Sequence, residues 1–174
     1  PDTLTARNNL AVAHQKAGNV SMAIDIYEAL LPDMTHALGP KHANTLTARH
    51  NLAVAHQKAG NVSTAIDIYE ALLPDMTHAL GPDHPDTLTA RNNLAVAHQN
   101  AGNASTAIEM FVSVLADRTR ALGSDHPDTL TARNNLAYTH RRAEILQTAA
   151  NMFKALLTDR TRVLGPDHPD TLIT

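Results

Sequence analysis

Thr3-Leu-Thr-Ala-Arg-Asn-Asn-Leu-Ala11 returns at Thr45, with His50 in place of one asparagine, and again at Thr87 and Thr129; Thr171-Leu172 opens a fifth copy. The spacing is 42 residues each time. A fixed period of this size marks a solenoid, a stack of small units that bury their apolar sides against one another. Residues 1–174 therefore read as one array: repeats over 1–42, 43–84, 85–126 and 127–168, with 169–174 beginning another. The chain opens at a helix start and stops inside the next, which reads as a piece of a longer protein.

The third copy shows what one unit is. His84-Pro85-Asp86-Thr87 is a helix start: proline suits the first helical position, and Asp86 suits the positive end of the helix dipole. Leu88, Arg91, Leu94, Ala95, His98 and Ala101 recur at three- and four-residue steps, one face of a helix. Gly102-Asn103 ends it. Ser105 is positioned to cap a second helix, whose inner face is Ala107, Ile108, Phe111, Val114, Leu115 and Leu122. Gly123-Ser124-Asp125 closes that helix. The fold class is all-α: a right-handed α-solenoid of four helix-turn-helix repeats, with helices of about 15 residues.

Arg91-x-x-Leu94-Ala95-x-x-His98 followed by Ala107-x-x-x-Phe111 resembles the tetratricopeptide signature, with arginine where that signature has tryptophan and histidine where it has tyrosine. The match returns at Leu10, Leu52 and Leu136, at the alanines Ala11, Ala53 and Ala137 and Ala23, Ala65 and Ala149, and at the aromatics Tyr27, Tyr69 and Phe153. Asn-Asn-Leu-Ala, a longer second helix and Leu-Gly-Pro-Asp-His-Pro look like the kinesin light chain subclass and its bacterial relatives. That resemblance implies that first helices line a concave groove, and that Asn8, Asn92 and Asn134 hold an extended peptide by its backbone.

The copies are not equivalent. Pro32 and Pro74 lie inside second helices, where each removes a backbone hydrogen bond, and give way to Ala116 and Thr158. Met34/His36 and Met76/His78 become Arg118/Arg120 and Arg160/Arg162, a stripe that reads as solvated and basic, or as an edge for an acidic partner. Gly18, Gly60 and Gly102 become Glu144, followed by Ile145. Arg141 to Phe153 then contains no helix breaker. The unchanged spacing favours a rebuilt, strained turn; a continuous helix would free the last helix to swap onto another chain.

Composition narrows the function classes. Net charge is −3, from 14 basic and 17 acidic residues, without the basic surface of a nucleic-acid binder. No apolar run is long enough to span a bilayer as a helix. With no cysteine there are no disulfides or thiolate metal sites. A cytoplasmic protein is expected, with no cofactor. His14, His56, His98 and His140 form one ladder, but copies on stacked helices stand roughly 10 Å apart, too far to share an ion. His42, His84, His126 and His168 form a second ladder and read as helix caps. Ser21, Ser63 and Ser105 fall at helix starts, and no nucleophile–base set or phosphate loop accompanies them, so no enzyme is expected.

The binding candidate is the polar ladder of the first helices. It comprises Thr5, Asn8, Val12, Gln15 and Lys16; Thr47, His50, Val54, Gln57 and Lys58; Thr89, Asn92, Val96, Gln99 and Asn100; and Thr131, Asn134, Tyr138, Arg141 and Arg142. An asparagine side chain both donates to and accepts from a peptide backbone. Lys16, Lys58, Arg141 and Arg142 favour acidic residues in the ligand. The second asparagine of each copy (Asn9, Asn51, Asn93, Asn135) is a candidate for bonds between helices. The function read from this is a non-catalytic scaffold that binds a protein or peptide segment in the groove. The alternatives are self-assembly through exposed ends or a swapped helix, and a sensor domain regulating an attached one.

Overall fold

The computed structural model describes residues 2–174; Pro1, which opens the first copy, lies outside them. Nine helices are found among the described residues. First helices are α1 (Asp2–Lys16), α3 (Ala43–Lys58), α5 (Pro85–Asn100) and α7 (Pro127–Arg142). Second helices are α2 (Val20–Leu38), α4 (Val62–Leu80), α6 (Ala104–Leu122) and α8 (Leu146–Leu164), and α9 (Pro169–Leu172) begins the fifth copy. Each second helix has 19 residues, longer than the expected 15. The chain divides into two compact units, residues 1–97 and 98–174. In the first, α1 packs on α2, α2 on α3 and α3 on α4; in the second, α6 packs on α7, α7 on α8 and α8 on α9. Within each unit these contacts between successive helices are the packing of an α-solenoid.

Close packing follows from where the small residues fall. Ala11 and Ala53 on first helices, and Ala23 and Ala65 on second helices, are fully buried. Beside them Tyr27, Leu30 and Met34, with Ile24, Ala48, Leu52 and Ala55, make the core of the first unit. In the second unit Ala107, Phe111, Val114, Leu130, Leu136 and Leu156 do the same, while Phe153 is only half-buried. Leu10 departs from the pattern: it is 51% exposed, whereas Leu52, Leu94 and Leu136 are buried.

Both departures from the tetratricopeptide signature have structural work. Arginine, standing for tryptophan, ties the two helices of a repeat by charge. Arg49 donates to the Asp75 carboxylate at 2.7 Å and to the Ala71 carbonyl at 3.0 Å. Arg7 repeats this with Asp33 (2.6 Å) and Ala29 (3.0 Å), and Arg133 pairs with Asp159 at 2.7 Å. Histidine, standing for tyrosine, ties down the turn: His14, His56 and His98 lie within 3.5, 3.4 and 3.3 Å of the amides of Asn19, Asn61 and Asn103. Those asparagines are the N-cap residues of the second helices, and their side chains make no cap bond. Ser105 is therefore not the cap expected from sequence; it lies inside the first turn of α6. The other histidine ladder does cap: the ring nitrogens of His42, His84, His126 and His168 accept from the backbone N–H two residues on, at 3.1–3.2 Å.

The fourth turn is rebuilt, and α7 does not run through into α8. Glu144 takes the left-handed conformation (φ +61) that Gly102 holds at φ +85. Its backbone bonds match the other turns: Ile145 N–H reaches the His140 carbonyl at 2.9 Å, as Asn103 N–H reaches His98. A non-glycine residue there costs about 1 kcal/mol. A second cost follows from Ile145, which has no amide to offer, so His140 Nδ1 is buried without a partner. The Glu144→Gly, Ile145→Asn double variant should raise the melting temperature; an unchanged or lower value in a calorimetric scan would count against strain in this turn.

Leu94→Ala should cost about 2–5 kcal/mol as a buried truncation. Lys58→Ala should stay within about 0.5 kcal/mol, because its side chain is exposed. Urea melts of the two variants check the assignment of faces.

Candidate functional site

The first helices carry the predicted ladder, and the structure sorts its members. On α1, Asn8, Val12 and Gln15 are half-buried and Lys16 is exposed; on α3, His50, Val54 and Gln57 are half-buried and Lys58 is exposed. Val12 packs partly against the core. On α5, Val96 is half-buried, but Asn92 and Gln99 are nearly buried. Gln99 Nε2 donates to Thr139 Oγ1 at 2.7 Å. That bond corrects its place among the ligand-facing residues: Gln99 holds α5 to α7. On α7, Asn134 is half-buried, while Tyr138, Arg141 and Arg142 are exposed, with the Arg141 guanidinium 4.6 Å from the centre of the Tyr138 ring. Asn93 links helices as its position suggested, its amide standing 3.4 Å from His50 Nε2.

Two recesses open between successive first helices of the first unit. One is lined by Leu4, Thr5, Asn8, Met34, Leu38, Asn44 and Thr47. The other is lined by Thr47, His50, Asn51, Met76, Asp86 and Thr89. Thr5, Asn8, Met34, Asn44 and Thr47 of the first stand 42 residues before Thr47, His50, Met76, Asp86 and Thr89 of the second. The recesses are one feature repeated with the array's period. Each holds a polar atom sealed from solvent and unpaired among the described residues: Asn8 Oδ1 in the first, His50 Nδ1 in the second. Burial pushes the His50 imidazole below its ordinary pKa, with the Asp86 carboxylate acting the other way, so the ring is neutral at pH 7. It packs edge-on against Tyr69 at 5.7 Å. Burial raises the Tyr69 and Tyr27 hydroxyls, so both remain protonated. Sequence reasoning had Thr5, Asn8, Thr47, His50 and Thr89 in its ladder; it did not place Met34, Met76 and Asp86 beside them, although their shared period was available as a signal.

The second unit treats the matching positions differently. Arg118 and Arg160 replace the buried methionines Met34 and Met76. They are not the solvated stripe expected from sequence, since each is only 4% exposed. Arg118 donates to the Asp128 carbonyl at 2.8 Å, and Arg160 to the Asp170 carbonyl and the Thr174 hydroxyl at 2.7 Å each. Arg162, by contrast, is exposed and grips both oxygens of Asp125 at 2.7–2.8 Å.

Comparison with known proteins fits this geometry. No curated protein matches the sequence. One tetratricopeptide repeat model matches residues 2–76, and a second of the same description matches 87–128 and 129–170. The chain belongs to the tetratricopeptide repeat family. Its fold is similar to the nearly identical TPR-like repeats of a Podosopora anserina protein designated a kinesin light chain, at 27% identity. That match covers 99% of this chain and 82% of the other, with a TM-score of 0.84. BtubC from P. vanneervenii has a similar fold (TM-score 0.83, 20% identity, 95% and 66% of the two chains), as does MamA RS-1 (TM-score 0.66, 16% identity, 91% and 76%). Tetratricopeptide repeats are protein–protein interaction modules. Among the described residues no three histidine, aspartate or glutamate side chains gather as for a metal, and no helix is long and apolar enough to cross a membrane.

Acid should loosen the second unit of this tetratricopeptide array. Hydrogen bonds from Arg162 hold Asp125 below the usual carboxylate range, and those from Arg133, then Arg162, do the same for Asp159. A depressed folded-state pKa gives stability that is present above the unfolded value of about 3.9 and is lost as pH falls through the folded one. The melting temperature should thus drop below about pH 4, and Asp159→Asn should flatten that drop. An acid titration of the variant parallel to that of the parent would show that the pair does not contribute.

Proposed function

We propose that the array is a non-catalytic scaffold whose first-helix face holds an extended peptide or partner segment. The observation that carries this reading is the period of the two recesses. An extended chain crossing successive first helices meets the same set of groups at each step, roughly 10 Å apart, about three extended residues. The unpaired Asn8 Oδ1 supports it too, because a buried acceptor without a donor is costly unless a ligand supplies one. Lys16 and Lys58, exposed on α1 and α3, would favour acidic residues where the ligand passes the far ends of these helices.

Selection of peptides displayed on a random library, followed by fluorescence anisotropy with a selected peptide, tests the reading. The Asn8→Ala variant should bind about tenfold more weakly, with a melting temperature close to that of the parent. Failure to select any peptide, or a collapse of the melting temperature with binding intact, would remove it.

A further inference from the structure

The later copies place an arginine where the earlier recesses have methionine. Position 76 is methionine, and the same position is arginine at 118 and 160. Asp86 of the second recess corresponds to Asp128 and Asp170, whose carbonyls receive those arginines. The repeat backbone at this place therefore accommodates a buried guanidinium. It receives the hydrogen bonds at a carbonyl of the next helix's first turn, with an aspartate carboxylate close enough to offset part of the cost of burying the charge. In the second recess every part of this arrangement is present except the cation. Met76 is too short and too apolar to reach the Asp86 carbonyl as arginine does, and the space beside it is open.

The charge of the two units agrees. Residues 1–97 carry six basic and nine acidic side chains, and residues 98–174 carry eight of each, so the whole net charge of −3 lies on the unit whose recesses are open. Arg7 and Arg49 are bound to Asp33 and Asp75, and Lys41 stands 3.9 Å from Asp75. His50, neutral at pH 7, does not repel a cation.

We propose that the second recess, floored by Met76 and edged by Asp86, takes an arginine side chain from the bound segment, as Arg118 and Arg160 fill the matching places in later copies. The first recess, with Asn44 in place of Asp86, takes it less well. This rests on the peptide-binding reading above and names its side-chain chemistry. Nothing in it conflicts with acidic residues elsewhere in the ligand, since Lys58 stands at the opposite end of α3 from the recess wall formed by Thr47.

The test uses three labelled Gly-Ser nonapeptides that differ only at positions three and six, which hold arginine, glutamate or methionine. Anisotropy at low salt should show the arginine peptide binding at least about tenfold more tightly than the glutamate one, the scale of a charge-assisted bond. Met76→Arg, which fills the recess from within as position 118 does, should abolish that preference. Asp86→Asn, at an exposed side chain that does not carry the fold, should weaken arginine-peptide binding several-fold and decides the matter if Met76→Arg is unstable in thermal melts. Equal or tighter binding of the glutamate or methionine peptide, or arginine-peptide binding unchanged in these variants, overturns the inference. If such binding still responds to Asn8→Ala, the peptide-binding reading stands without it. Binding of none of the three overturns the arginine inference, and the library selection then decides the peptide reading separately.

Discussion

Everything in these repeats depends on bringing two helices close enough to be clamped. Alanine stands at the fully buried positions 11, 23, 53 and 65, and no larger side chain would leave the same separation. At that separation an arginine on the first helix reaches an aspartate 26 residues later and a carbonyl on the same helix. The clamp combines a charge-assisted pair with a neutral acceptor, and its arginines are only partly exposed, so solvent screens it less than a free surface pair. It ties the first helix to the second in the pairs α1–α2, α3–α4 and α7–α8.

The fold was legible because it is written four times. Period, helix-start proline, turn glycine and alanine positions all agree, and the described helices follow them. The candidate site was legible only in part. Asn8 and His50 were visible as ladder members, yet Gln99, at the same ladder position as Gln15, turned out to bond Thr139. Helical periodicity gives the face of a residue but not which neighbour will take its hydrogen bond. Thr139 stands where the other copies have alanine at 13, 55 and 97, so a substitution 40 residues away decided the fate of Gln99. Arg118 and Arg160 were misjudged for the opposite reason. An arginine on an outer helix is usually solvated, and only the carbonyls of the following copy reveal that these two are buried.

The difference between the two units is one of chemistry on a common frame. Both use the same capping histidines and the same arginine–aspartate clamp. Among the buried positions that differ is one that is methionine or arginine, and that residue sets whether a neighbouring carbonyl is served from within the chain. The unit closed in this way is the one whose charges balance.

Glu144 carries a further consequence. In a linear array each helix pair is supported only by its neighbours, so a local cost is not spread through a common core. The turn that bends a glutamate into a glycine's conformation, and leaves His140 Nδ1 without a partner, lowers the free energy needed to open α7 from α8 and little else. Amide protons around that turn should be the first interior ones to exchange with solvent. Under a pulling force the molecule would yield at this joint while the earlier pairs held, which gives a nearly periodic chain one defined point of mechanical weakness.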